Sequence, residues 1–167
     1  MTEQDPYTVI GDRGAMSVFE IYIKTTPERL WEAITSDEMK RKYTFGVGID
    51  SDFTEGSSYR AAAGPGGEIA INEGENVEVD PPRRLVQTMR ALWSDEVRDA
   101  GFSRVTWEIE QVEDSCRLTV VHDELPPDAH EELYGGWPQI LSGLKTLLET
   151  GETLTTPGSL RYAEAAG

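Results

Sequence analysis

The side chain best placed for chemistry in this sequence is His122. In Leu118-Thr119-Val120-Val121-His122 the two-residue alternation puts its imidazole on the same face as Leu118 and Val120. An imidazole among apolar neighbours can donate to a ligand carbonyl or act as a base, assisted by a nearby carboxylate or by Arg90. It can equally be a structural histidine satisfied by a local partner, and the sequence leaves both readings open. His130 stands beside Glu131 and Glu132 and reads as exposed. Cys116 has no activating neighbour in sequence, so a thiol nucleophile is not indicated.

Other signatures fail on spacing. Two histidines and one cysteine at unrelated positions make no zinc set, and no carboxylate loop has calcium spacing, so no metal is expected. Gly46-Val47-Gly48 has Ser51 where a dinucleotide fingerprint needs its third glycine. Gly143-Leu144-Lys145-Thr146 lacks the glycine that precedes lysine in a phosphate loop and falls inside a helical pattern, so no cofactor is expected either. What remains is apolar: Trp31, Trp93, Trp107, Trp137, Tyr59, Tyr134 and Met89 can line a pocket or simply fill a core.

The elements that must position these residues follow from periodicity. Leu133, Trp137, Ile140, Leu141, Leu144, Leu147 and Leu148 recur at three- and four-residue steps and form one helical stripe. Burying it supplies roughly 10–20 kcal/mol before ordering entropy is subtracted. Gly151 stops this helix, Asp128 is a candidate for its N-cap, and Pro138 requires the helix to begin there or to kink, with Gly135 and Gly136 absorbing the bend. Upstream, Phe19, Ile21 and Ile23 alternate as a strand from Ser17. Thr26-Pro27-Glu28-Arg29 then opens a helix carrying Leu30, Trp31 and Ile34, and Ser36-Asp37 caps a second short one with Met39 and Tyr43.

Six more strands are predicted, at Val47–Phe53, Ser57–Ala63, Glu68–Val79, Leu85–Trp93, Arg104–Val112 and Arg117–Asp123. Gly64-Pro65-Gly66-Gly67 and Glu113-Asp114-Ser115 read as hairpin turns, and Asp80-Pro81-Pro82 ends a strand. Val105, Trp107 and Ile109 should face the long helix together with Leu118, Val120 and His122. The expected architecture is α+β: a curved antiparallel sheet of about seven strands wrapped around a long C-terminal helix, with two short helices after the first strand. Its expected limits are an N-terminal arm over 1–15, one domain over 16–151 and a flexible tail over 152–167.

A chain of 167 residues suits one domain that buries a core without staples, and a single cysteine leaves no internal disulfide. No apolar stretch is long enough to span a bilayer, and no leader pattern opens the sequence, so a cytoplasmic location is expected. The formal charge of -16, from 31 acidic and 15 basic residues, repels phosphate backbones and argues against nucleic acid.

In this order, Thr26-Pro27-Glu28-Arg29-Leu30-Trp31-Glu32-Ala33, Asp80-Pro81-Pro82-Arg83-Arg84-Leu85, Leu118-Thr119-Val120-Val121-His122 and Gly136-Trp137 carry a family resemblance. Over about Ser17 to Gly151 the chain resembles the SRPBCC superfamily of START-like, helix-grip proteins, in the branch similar to the C-terminal domain of the activator of the heat-shock-protein-90 ATPase. The resemblance implies a cavity between sheet and C-terminal helix that takes lipids, sterols, polyketides or other apolar molecules. The residues expected to contact such a molecule are Met89, Trp107, Ile109, Val120, His122, Tyr134, Trp137, Leu141 and Tyr59. The implied function is binding of a small apolar or amphipathic molecule. The alternatives are a cyclase- or hydrolase-type enzyme with His122 as acid/base, and a cochaperone-like interaction module. The expected partners are that small molecule and, as a homodimer, a second copy of the chain.

Overall fold

In the computed structural model, which describes residues 15–125 and 136–160, one seven-stranded sheet faces a layer of helices. The first strand, β1 (Ala15–Ile23), is followed by the helices α1 (Pro27–Thr35) and α2 (Asp37–Tyr43). Four strands follow, β2 (Gly48–Ser51), β3 (Ser58–Ala63), β4 (Ile69–Asp80) and β5 (Arg84–Ala91). A short helix α3 (Asp95–Asp99), strands β6 (Ser103–Val112) and β7 (Ser115–Leu125) and the long helix α4 (Trp137–Thr150) complete the order. The sheet runs β1-β7-β6-β5-β4-β3-β2, every pairing antiparallel, so the first strand closes against the last. This is the helix-grip architecture. Among the described residues no helix is long and apolar enough to cross a membrane.

Local chemistry sets the helix ends. The Thr26 hydroxyl accepts from the Arg29 amide at 3.2 Å with Pro27 in the first turn, and the Ser36 hydroxyl accepts from the Met39 amide at 3.3 Å. Helix α4 starts at Trp137, so Pro138 sits in its first turn, where a missing N–H costs nothing. It stops at Gly151, whose φ of 78° lets its amide reach the Leu147 carbonyl. The Asp128 cap lies outside the described residues. Three details differ from the periodicity. The β2 pairing is only four residues long, and the strand after β4 ends at Ala91 instead of Trp93. Ser94 caps α3, accepting from the Val97 amide, which places Val97 against Ala91 and Leu125 in a small satellite core. Within the segment read as a tail, the Gly158 amide donates to Gln139 on α4 at 2.7 Å.

The main core lies between α4, α1 and the β1-β7-β6-β5 part of the sheet. Ile23, Leu30, Leu85, Leu118, Val120 and Leu144 are fully covered there. Helix α4 buries Trp137, Leu141, Leu144, Leu147 and Leu148, while Ile140 stays half-buried. A Cβ on Gly143 would lie 3.3 Å from that of Tyr43, so the two helices approach closely at that point. The Tyr43 hydroxyl, donating to the Ala33 carbonyl at 2.6 Å, ties α2 to α1.

The far half of the sheet is braced by polar groups instead. Gln87 donates to the Asn76 carbonyl oxygen at 3.0 Å, and the Asn76 amide group donates to Ser51 and Ser57 at 2.8 and 3.0 Å. Tyr59 lies across Gly74 and donates to the Thr88 carbonyl at 2.7 Å. A Cβ at Gly74 would stand 2.0 Å from that carbonyl oxygen and 2.8 Å from the Tyr59 ring, so no side chain fits. Gly74→Ala is therefore expected to destabilise the protein by about 1–3 kcal/mol, the usual cost of overpacking, read as a lower urea midpoint. An unchanged midpoint would mean that β4 and β5 shift apart freely.

Candidate functional site

Strand alternation and register bring four of the expected contact residues together, Met89, Trp107, Val120 and His122. Val105 pairs with His122 and Trp107 with Val120 across β6 and β7, while Met89 of β5 pairs with Ser103. Directly paired residues share a face, so Met89, Ser103, Trp107, Val120 and His122 all point to the helix side. Trp137, from the first turn of α4, closes on them. Its ring meets Trp107 edge to face at 5.3 Å between centroids and stands 6.3 Å from Phe19 of β1.

His122 is fully buried, and both ring nitrogens are engaged. The Trp137 indole N–H donates to Nδ1 at 3.1 Å. Because an indole nitrogen can only donate, Nδ1 must carry a lone pair, and in the neutral ring the proton sits on Nε2. Nε2 then donates to the Ser103 hydroxyl at 2.8 Å, and that hydroxyl passes its own proton to the Met89 carbonyl at 3.3 Å. One chain of hydrogen bonds thus joins α4, β7, β6 and β5. Burial pushes the imidazole down to about 4, and the Trp137 donor reinforces the neutral form. Proton transfer by His122 would require it to release one of these partners.

Trp107 is different. It is 3 % exposed, yet its Nε1 has no hydrogen-bond partner among the described residues. The Lys40 ammonium of α2 lies over the same ring, 5.0 Å from its centroid, and burial pulls its pKa down to about 8. Among the apolar side chains that pack against this core while staying partly covered are Met39 of α2, Phe53 beyond β2, Met89 of β5 and Ile140 of α4.

The remaining expected residues fall elsewhere. Tyr59 spends its hydroxyl on Thr88 across β4. Ile109 is buried at the other end of β6, at the edge of a groove of about 410 Å³ with Arg83, Arg84 and Arg117. Each of these guanidiniums already pairs with a carboxylate, Asp80, Glu108 or Glu110. Leu141 lines a second groove of about 380 Å³, with Phe19, Ile21 and Pro138, between β1 and α4. Trp31 is half-buried against the core and Trp93 is exposed at 39 %. Tyr134 and His130 lie outside the described residues. Cys116 is buried with its thiol donating to the Thr25 carbonyl at 3.3 Å, and burial raises its pKa, the opposite of activation. Among the described residues no group of three histidine, cysteine or carboxylate side chains can hold a metal ion.

Sequence reasoning overlooked Ser103 and Lys40, although both carried a signal. Ser103 continues the alternation of Val105, Trp107 and Ile109, and Lys40 stands three residues before the buried Tyr43, on the same helical face.

A depressed imidazole pKa fixes a pH dependence. The unfolded chain takes up a proton near pH 6.5 that the folded protein refuses until about 4. The contribution of His122 is therefore complete above pH 6.5 and is lost on descending to pH 4, about 3 kcal/mol in all. His122→Gln should unfold cooperatively with a visibly flatter loss of stability between pH 7 and pH 4 than the parent, read by denaturant titrations. Parallel curves for the two proteins would mean that the imidazole titrates alike in the folded and the unfolded chain.

No curated protein matches the sequence. Solved structures do. CalU16 from Micromonospora echinospora superposes with a TM-score of 0.66 at 17% identity over 90% of this chain and 83% of its own. PFC0360w, an HSP90 activator from Plasmodium falciparum, gives 0.66 at 22% identity over 81% and 96% of the two chains. The Aha1 dimer from Colwellia psychrerythraea gives 0.64 at 19% identity over 82% and 98%. At these identities the likeness establishes the fold. The family model described as Activator of Hsp90 ATPase homolog 1-like protein matches residues 24–149, from the end of β1 to the last turn of α4, and the chain belongs to that family.

Proposed function

We propose that the protein binds a small apolar or amphipathic molecule between the sheet and the helices, against Trp107, Trp137 and Met89. The observation that carries this reading is the indole N–H of Trp107, buried without an acceptor among the described residues. A donor left in that state costs about 1–3 kcal/mol, a cost that an acceptor atom on a bound molecule removes. The partly covered Met39, Phe53, Met89 and Ile140 supply apolar surface at the margin of the same core, as ligand sites commonly require. His122 serves here as a neutral brace that holds Trp137 in place, so the reading is binding without proton transfer from this residue. A cyclase or hydrolase role resting on His122 draws no support from a ring whose two nitrogens are both occupied.

A second reading, a protein-interaction module, is favoured by one feature. Strand β1 is a sheet edge, and Phe19, Ile21, Pro138 and Leu141 line the groove of about 380 Å³ between it and α4. An unpaired strand edge beside apolar side chains can receive a partner segment or a second copy of the chain.

Titration with fatty acids, flavonoids and polyketide-like aromatics, followed by ligand-observed NMR and tryptophan emission, separates the two. Saturable binding should shift the Trp107 indole N–H resonance and should be lost in Met89→Trp, which puts a larger side chain on the same face of the sheet. If every compound leaves that resonance unmoved, small-molecule binding at this place is wrong and the edge groove becomes the functional surface.

A further inference from the structure

Lys40 adds a charge to this place. The chain carries 31 acidic residues against 15 basic ones, so a lysine without a carboxylate needs a reason. Its neighbour Arg41 pairs with Asp37, and Lys145 pairs with Glu149. Among the described residues no carboxylate reaches ion-pair distance of the Lys40 ammonium, which instead stands over the Trp107 ring. The face of an aromatic ring offsets only part of what a desolvated cation loses. Two donors therefore meet at one indole, the ammonium over its ring and its own N–H, and among the described residues no carboxylate reaches the first and no acceptor the second. His122 is neutral and has no free nitrogen, so it offers no counter-charge.

Resting on the binding reading above, we infer that the bound molecule is an amphipathic anion. Its carboxylate or enolate oxygens are received by the Lys40 ammonium and the Trp107 indole N–H, and its apolar body lies along Met39 and Met89. A carboxylate has two oxygens and so can serve both donors at once. The lysine that meets no counter-ion among the described residues obtains one from the ligand, which selects acids over neutral molecules of the same shape.

The test compares matched probes: 2-naphthoate with 2-naphthamide, and dodecanoate with dodecan-1-ol below its solubility limit. Binding is measured by calorimetry on the full chain and on Lys40→Met, Lys40→Arg and Trp107→Phe, each checked for cooperative unfolding. In the parent, each acid should bind at least about tenfold more tightly than its neutral partner, the usual scale for a charge-assisted hydrogen bond. Lys40→Met should erase that preference by weakening the acids, Lys40→Arg should keep most of it, and only the acids should move the Trp107 N–H resonance strongly downfield. Equal affinity for acid and neutral probes in the parent overturns the anion and leaves the binding site standing. A folded Lys40→Met that still prefers acids overturns Lys40 as the receiver. Failure of all four probes to bind the parent removes the binding reading and this inference with it. Should Lys40→Met not fold, the Trp107 resonance in the parent and the Lys40→Arg affinities decide between the same outcomes.

Discussion

The hydrogen bond from Trp137 to His122 is the constraint from which much of this architecture follows. It fixes where the C-terminal helix begins relative to the sheet, because a donor in the first turn of α4 meets an acceptor on β7. It also fixes the protonation of the imidazole, and through it the direction of every later bond in the chain to Ser103 and Met89. A buried polar chain of this kind is costly when any member is unmatched and specific when all are matched. Around it the packing is ordinary: leucines of α4 on one side, Leu118, Val120 and Val105 on the other. The apolar stripe supplies most of the stability, while the polar chain sets the register of helix on sheet.

The same few ångströms separate satisfied from unsatisfied chemistry. Trp137 and Trp107 touch edge to face, yet one indole N–H has an acceptor and the other has none among the described residues. Protein interiors rarely tolerate such an asymmetry without a reason, since an unpaired buried donor loses its hydration and gains nothing. The lysine over the second ring repeats the pattern in charge. In the proposed function the satisfied half of the cluster is scaffold, and the other half supplies the donors for a bound molecule.

Most of the fold was legible because it is written in periods. Alternation through Val105, Trp107 and Ile109, and again through Leu118, Val120 and His122, gives strands with one buried face, and the leucine spacing of α4 admits only a helix. Thr26, Ser36 and Gly151 mark ends with side-chain and backbone chemistry that is local, and local chemistry is readable. What the sequence concealed depends on who meets whom across the sheet. Nothing in the spacing of Ser103 announces a histidine partner nineteen positions away, and nothing in Met39-Lys40 announces an indole beneath the ammonium. Helix α3 was missed for another reason: it is a single turn, too short for a period to show. His122 stood between an active and a structural reading until both of its partners were known.

Strand β1 pairs along its length with β7, so Ile23 lies opposite Cys116 and Phe19 opposite Val120. On a ribosome, the first strand therefore emerges with its partner not yet made, and nearly the whole domain must leave the exit tunnel before the sheet can close. Until then Phe19, Ile21 and Ile23 form an uncovered apolar strand, and the meander from β2 to β5 has only local hairpin contacts to hold it. The closure that joins the two ends of the fold spans the largest sequence separation of any strand pairing in the sheet, and a nascent chain halted before β7 would present an open strand edge to whatever is nearby.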